Sequence, residues 1–210
     1  MIRLLIADDH PVVREGLKRI VLECSDMELV GEAADGHMVL KQCEENEIDV
    51  ILLDISMPGP GFLDVLQRIR SKYSHIRVLV LSIHPEDHYA LRALKAGAAG
   101  YLTKSHTPDE LSGAIRHVYK GRNYVSSLLA EKLASQSFSN DDTVLHEILS
   151  NREYQILCMI GAGLDTNDIA EKLNLSPKTV STYQSRVMAK MNLNSKGELI
   201  RYTIEYGLTE

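Results

Sequence analysis

The chain is poor in cysteine. Its 210 residues hold three, Cys24, Cys43 and Cys158, scattered along the sequence. No CxxC pair or Cys/His spacing joins them, which excludes a disulfide framework and a zinc finger and suits free thiols in a reducing compartment. Long apolar runs are also missing. No stretch approaches the roughly 20 residues needed to cross a bilayer. The N-terminus passes straight into a strand pattern without a signal-peptide pattern. An excess of basic charge is absent too, since the net charge is −6. Of the 23 basic and 29 acidic residues, seven of each lie from Ser150 onward, so the first 149 residues carry the whole surplus of six acids. An acidic front does not invite nucleic acid, and a neutral tail admits it only through a local basic face. Internal repeats are lacking. The expectation is a cytoplasmic, membrane-free protein of two domains, since a domain typically holds about 100–150 residues.

What is present is organised around Val50-Ile51-Leu52-Leu53-Asp54. Four apolar residues, two of them β-branched, predict a strand buried on both faces. It ends in an acid, and Ile55-Ser56-Met57-Pro58-Gly59 follows as loop. A strand over 2–7 ends likewise, in Asp8-Asp9. Further strands are expected over 28–33, 76–83 and 98–103. Helices are expected from Pro11 to about Glu23, from Asp35-Gly36 to about Asn46, over 62–73, from Pro85-Glu86 to Gly97, and from Thr107-Pro108 to about Lys120. Val12, Val13, Leu17, Ile20, Val21 and Cys24 mark the apolar side of the first helix. Five alternations predict an α/β domain, a doubly wound five-stranded parallel sheet, over 1–121. Open sheets of this kind bind ligands at the carboxyl ends of their strands. Three carboxylates gathered there would repel one another unless a cation joined them, and the hard, oxygen-seeking choice is Mg²⁺.

Residues 122–147 read as a linker with a short amphipathic piece at 127–133 and a Ser/Asn/Asp-rich stretch at 135–142. From 148 to 210 the pattern is all-α. Ser150-Asn151-Arg152-Glu153 is a capping box, Gly163 a break, 167–173 a short helix, and Ser176-Pro177 the start of a longer one to about Met191. A last helix covers 196–206. A short helix, a tight turn and a longer helix form a helix-turn-helix candidate.

With these pieces in place, residues 1–120 resemble the receiver domain of bacterial two-component response regulators. The resemblance rests on Asp8-Asp9, Asp54, Ser82, Tyr101 and Lys104, each at the end of its strand or on it. Residues 150–208 resemble the LuxR-type helix-turn-helix of the NarL/FixJ subfamily, through Arg152-Glu153, Gly163, Asn167-Asp168-Ile169-Ala170, Ser176-Pro177-Lys178-Thr179-Val180 and Lys190-Met191. The resemblance implies a regulator whose Asp54 is phosphorylated by a sensor histidine kinase. It implies Mg²⁺ held by Asp8, Asp9, Asp54 and the backbone carbonyl of Ser56. Lys104 would pair with a phosphoryl oxygen, Ser82 would bond another, and Tyr101 would fill the space Ser82 leaves. Phosphorylation would control dimerisation and binding to promoter DNA, with RNA polymerase as a further partner. No catalysis is expected beyond uptake and slow loss of the chain's own phosphoryl group.

On the predicted helix 177–191, Val180, Val187 and Met191 form a core stripe flanked by Tyr183 and Met188. Ser181, Thr182, Ser185 and Arg186 fall on another side, where they suit base edges in a major groove. Lys178, Thr179 and Lys190 flank that side as expected phosphate contacts. Leu199, Tyr202, Ile204 and Tyr206 give the last helix more apolar surface than a small domain hides, which the family uses for pairing.

Three departures stand out. Phe62 occupies a position where the family usually has Gly, and Gly61 is expected to supply the bend one residue early. Ser105 replaces a common proline, and a cis bond there would be costly. Ser181 replaces a common lysine, which predicts weaker intrinsic DNA affinity offset by dimerisation. Two other classes compete. A haloacid-dehalogenase-like phosphohydrolase would need an acid two residues after the nucleophile, where Ser56 stands. A protein-interaction module that never touches DNA would leave the 178–186 face without a task.

Overall fold

The computed structural model describes residues 1–82, 86–126, 129–131 and 145–208. They belong to two compact units, Met1–Phe138 and Ser139–Glu210. Expected features at Ile83, Pro85, most of the amphipathic piece and the whole of 135–142 lie outside the described residues.

The first unit alternates strand and helix: β1 Ile2–Ala7, α1 Pro11–Leu22, β2 Met27–Ala33, α2 Gly36–Glu45, β3 Val50–Asp54, α3 Phe62–Lys72, β4 Arg77–Ser82, α4 Glu86–Ala96, β5 Gly100–Thr103 and α5 Pro108–Tyr119. The strands are all parallel in the order β2-β1-β3-β4-β5. The continuous apolar run of β3 is explained by its two faces. Ile51 and Leu53 enter a core with Val39, Val65 and Ile69, whereas Val50 and Leu52 enter a second core with Leu17, Val21 and Ile115. Enclosing each large aliphatic side chain contributes about 1.5–3 kcal/mol. The chain reverses direction across the sheet at β1, so the crevice between the carboxyl ends of β1 and β3 is the switch point where such sheets bind ligands.

Local chemistry sets the helix starts. The Asp35 side chain accepts from the Met38 amide, and Thr107 accepts from that of Glu110. Pro11 and Pro108 occupy first turns. Val12 departs from expectation, being 85% exposed. The buried line of α1 runs through Leu17 and Val21, four residues apart, and Val12 points away from it. Gly61 also departs. Its φ of −58° is open to any residue, whereas Gly59, with φ +92°, holds the conformation that requires glycine.

In the second unit a 3₁₀ turn, Leu145–Ile148, precedes α6 Asn151–Gly161, α7 Thr166–Leu173, α8 Pro177–Lys190 and α9 Lys196–Glu205. Both halves of the Ser150/Glu153 capping box are formed. A second box, Asp165/Asp168, starts α7 one residue before the expected point. Gly163 turns the chain at φ +85° and Asn174 at φ 52°. Tyr154, Leu157, Ile169, Val180, Val187 and Leu199 fill the core. On α9, Leu199 and Tyr202 are buried and Ile204 is 64% exposed; Tyr206, just past its end, is exposed as well. No helix among the described residues is long and apolar enough to cross a membrane.

Candidate functional site

Strand tips assemble the first site. Asp8 follows β1, Asp54 ends β3 and Lys104 follows β5. Asp8 and Asp54 are 0% and 2% exposed. The Lys104 ammonium donates to Asp8 Oδ2 at 2.6 Å and lies 3.0 Å from Asp54 Oδ1. Its backbone amide is fixed on the Ser82 carbonyl at 2.6 Å. Asp8 is held further by the His10 amide on its Oδ1 at 2.8 Å and by Arg14, which donates to its carbonyl at 2.6 Å. His10 Nδ1 faces Asp9 Oδ1 at 2.8 Å. Asp8, Asp9, His10 and Asp54 each present a ligand atom within 4.8 Å of the others.

Two buried carboxylate oxygens make no hydrogen bond: Asp9 Oδ1, which faces only His10, and Asp54 Oδ2. Burial pushes the Asp54 carboxyl above the usual carboxylate range, against the pull of Lys104, and the charges of Asp8 and Asp9 add to the rise. Lys104 loses some basicity to burial, but Asp8 and Asp54 outweigh that and hold it above an ordinary lysine. A bare buried carboxylate oxygen, among acids that one lysine does not neutralise, fits a hard divalent cation in its donor chemistry.

The other expected groups lie nearby in the fold. Ser82 is fully buried at the end of β4, and Ser56 is exposed in the loop after β3. The expectation that Tyr101 moves into space left by Ser82 meets a ring that is already fully enclosed in the first core. Phe62 is buried at the start of α3 with its edge against Tyr89, 6.0 Å between centroids. The described backbone contains no cis peptide bond, the one before Ser105 included.

On α8 the expected faces separate. Val180, Val187 and the adjoining Met191 are buried; Lys178, Ser181, Thr182, Ser185 and Arg186 are exposed, and Thr179 is half-buried. The Ser181, Thr182 and Ser185 hydroxyls donate to the carbonyls of Pro177, Lys178 and Ser181 at 2.9–3.0 Å. Their protons are therefore occupied and their outward lone pairs accept, which suits the amino groups of adenine and cytosine in a major groove. Arg186 lies 5.7 Å above the Tyr183 ring. Lys190 is drawn elsewhere: its ammonium donates to Glu153 Oε2 at 2.7 Å.

Comparison with known proteins follows the same division. The family described as "Response regulator receiver domain" matches residues 4–116, and "Bacterial regulatory proteins, luxR family" matches 147–203. The chain is 40% identical over 209 residues to the response regulator UvrY of Escherichia coli (strain K12), covering 99% of this chain and 96% of that one. This chain is a two-component response regulator. Response regulator GacA of Pseudomonas aeruginosa is 37% identical over 211 residues, covering 100% and 99%. A structure of RcsB from Salmonella typhimurium shares the fold with a TM-score of 0.73 at 24% identity, covering 98% of both chains. Response regulator ChrA, from a heme-sensing two-component system, gives 0.53 at 30% identity over 99% of this chain and 98% of that one. Like others of its family, this regulator joins a receiver to a DNA-binding domain and acts on transcription rather than as a classical enzyme.

Three residues of these sites escape a sequence reading. His10 precedes α1 as its capping residue and Arg14 sits in its first turn, where polar residues carry no periodic signal. Glu153 is legible as a helix cap, but not as the partner of a lysine 37 residues away.

Proposed function

We propose that Asp54 takes a phosphoryl group from a phosphohistidine of a sensor histidine kinase and that this controls pairing and promoter binding by α8. The carrying observation is the buried, partnerless Asp54 Oδ2 beside a lysine that already holds the other oxygen. An Asp54 oxygen attacks phosphorus, the P–N bond to the donor imidazole breaks, and the leaving ring keeps the electron pair and takes up a proton. Asp9 and Asp54, with Asp8 more loosely and the Ser56 carbonyl, would hold Mg²⁺. When bound, the ion screens the carboxylates and the oxygens on phosphorus. Lys104 moves from two carboxylates to a phosphoryl oxygen as a point charge, and the Ser82 hydroxyl takes another. The added charge of about −1.5 to −2 then favours one receiver arrangement over another. Since Tyr101 is already enclosed, the change falls on the neighbouring surface of α4 and β5 rather than on entry of its ring.

Lys178 and Thr179 are proposed to hold phosphates, while Ser181, Thr182, Ser185 and Arg186 read base edges. The exposed Ile204 and Tyr206 suit a second copy of α9. RNA polymerase is a proposed partner on the promoter. A gel shift with full-length protein tests the link between the sites. A beryllofluoride phosphate mimic should tighten binding of the wild type about tenfold or more and leave Asp54→Asn unchanged. Equal tightening of both proteins would break the link.

A further inference from the structure

The pairing of Lys190 with Glu153 separates this lysine from the other basic groups of α8. Glu153 is 3% exposed, yet it is a carboxylate at the start of α6. Its Oε2 accepts both the Ser150 amide and the Lys190 ammonium, each at 2.7 Å. Burial alone would raise its carboxyl, but Lys190 and Ser150 outweigh burial and hold it below the usual range. The acid is thus ionised and enclosed, its Oε2 engaged twice, and Lys190 supplies its countercharge.

The helix geometry agrees. At about 100° per residue, Lys190 falls roughly 110° around α8 from the centre of the face shared by Ser181, Thr182, Ser185 and Arg186, whereas Lys178 lies close to that centre. Lys190 stands beside the buried Val187 stripe, at the last residue of the helix. Moving it to a phosphate would strand a buried carboxylate without its cation, which is strongly unfavourable.

We infer that Lys190 is no phosphate contact but a strut, which with the Glu153 capping box fixes the tilt of α8 and so positions the residues that read bases. Glu153 and Lys190 are positioning residues, and the inference rests on the reading of α8 as the DNA-binding helix.

The test uses full-length protein and a duplex selected by the wild type from a random pool, with a scrambled duplex as control. Binding is measured against salt concentration, because each phosphate contact contributes about 0.9 to the slope of log K against log salt. The Glu153→Met/Lys190→Met double variant replaces the pair by apolar side chains of similar length and keeps a packed core. It should retain the wild-type slope, while Lys178→Met loses about 0.9. Glu153→Gln, which weakens the strut and leaves every basic residue in place, should lower the preference for the selected over the scrambled duplex about tenfold, the loss of one base contact. Lys190→Arg, which can still pair with Glu153, should keep that preference. A slope reduced by about 0.9 in the double variant would overturn the strut and make Lys190 a phosphate ligand. An unchanged preference in Glu153→Gln would overturn its positioning role. A wild type that selects no duplex would defeat the DNA-binding reading, and this inference with it.

Discussion

Asp54 in the first unit and Glu153 in the second are both almost completely buried, and the two respond in opposite directions. Asp54 is raised above the usual range and Glu153 is held below it. Both meet a lysine, at 3.0 Å and 2.7 Å. The difference lies in the rest of the surroundings. Asp54 shares its lysine with Asp8, feels Asp9 as well, and keeps one oxygen bare. Glu153 has a lysine to itself and a backbone amide besides. Glu153 meets its countercharge within the folded chain, whereas Asp54 is left short of partners, as its proposed role as phosphoryl acceptor requires. The lysine contact alone does not distinguish them; the unfilled oxygen does.

The contrast can be broken by mutation. The largest effect on stability is expected from Lys190→Met, which leaves Glu153 buried without its cation. Urea unfolding of the second unit should show a loss of about 2 kcal/mol. The double variant with Glu153→Met should recover most of it. Full destabilisation in the double variant would show that packing, not charge pairing, was lost. The same pair has a pH signature. Because the folded Glu153 carboxyl lies below its unfolded value, its contribution is fully present above the usual glutamate range and fades as pH falls through the lower folded value. The stability gap between wild type and Glu153→Gln should therefore close in acid. A gap that widens there would reverse the sign.

Asp54→Asn should move the other way by a smaller amount. Removing a carboxylate that burial and two acids disfavour should stabilise the first unit by about 1 kcal/mol in Mg²⁺-free buffer at neutral pH. Slower hydrogen exchange at the β3 amides of the full chain would show it, and faster exchange would contradict it. The smallest effect belongs to Ser185→Ala. Its exposed hydroxyl returns a bond to its own helix, so stability should stay within about 0.5 kcal/mol while affinity for a selected duplex falls. Loss of stability without loss of affinity would remove Ser185 from the reading face.

Much of this is legible in the sequence. The apolar runs of β1 and β3 end in acids, and parallel topology brings such ends together, so the pocket followed from Asp8, Asp54 and Lys104 at strand tips. The buried and exposed faces of α8 follow from helical period. What escaped had no periodic or local signal. The left-handed turn belongs to Gly59 rather than Gly61, and φ cannot be read from composition when several glycines are close. Val12 is apolar but one step off the buried line of α1. Lys190 looks like any basic residue on a DNA-binding helix until its partner on another helix is seen.

The central claim is that the partnerless oxygen of Asp54 is the phosphoryl acceptor. Intact-mass and peptide mapping after incubation with a small phosphoryl donor and Mg²⁺ tests it directly. One acid-stable, base-labile phosphoryl group on Asp54, absent from Asp54→Asn, is the predicted result. A phosphoryl group on another residue of the wild type, or undiminished labelling of Asp54→Asn, would contradict it.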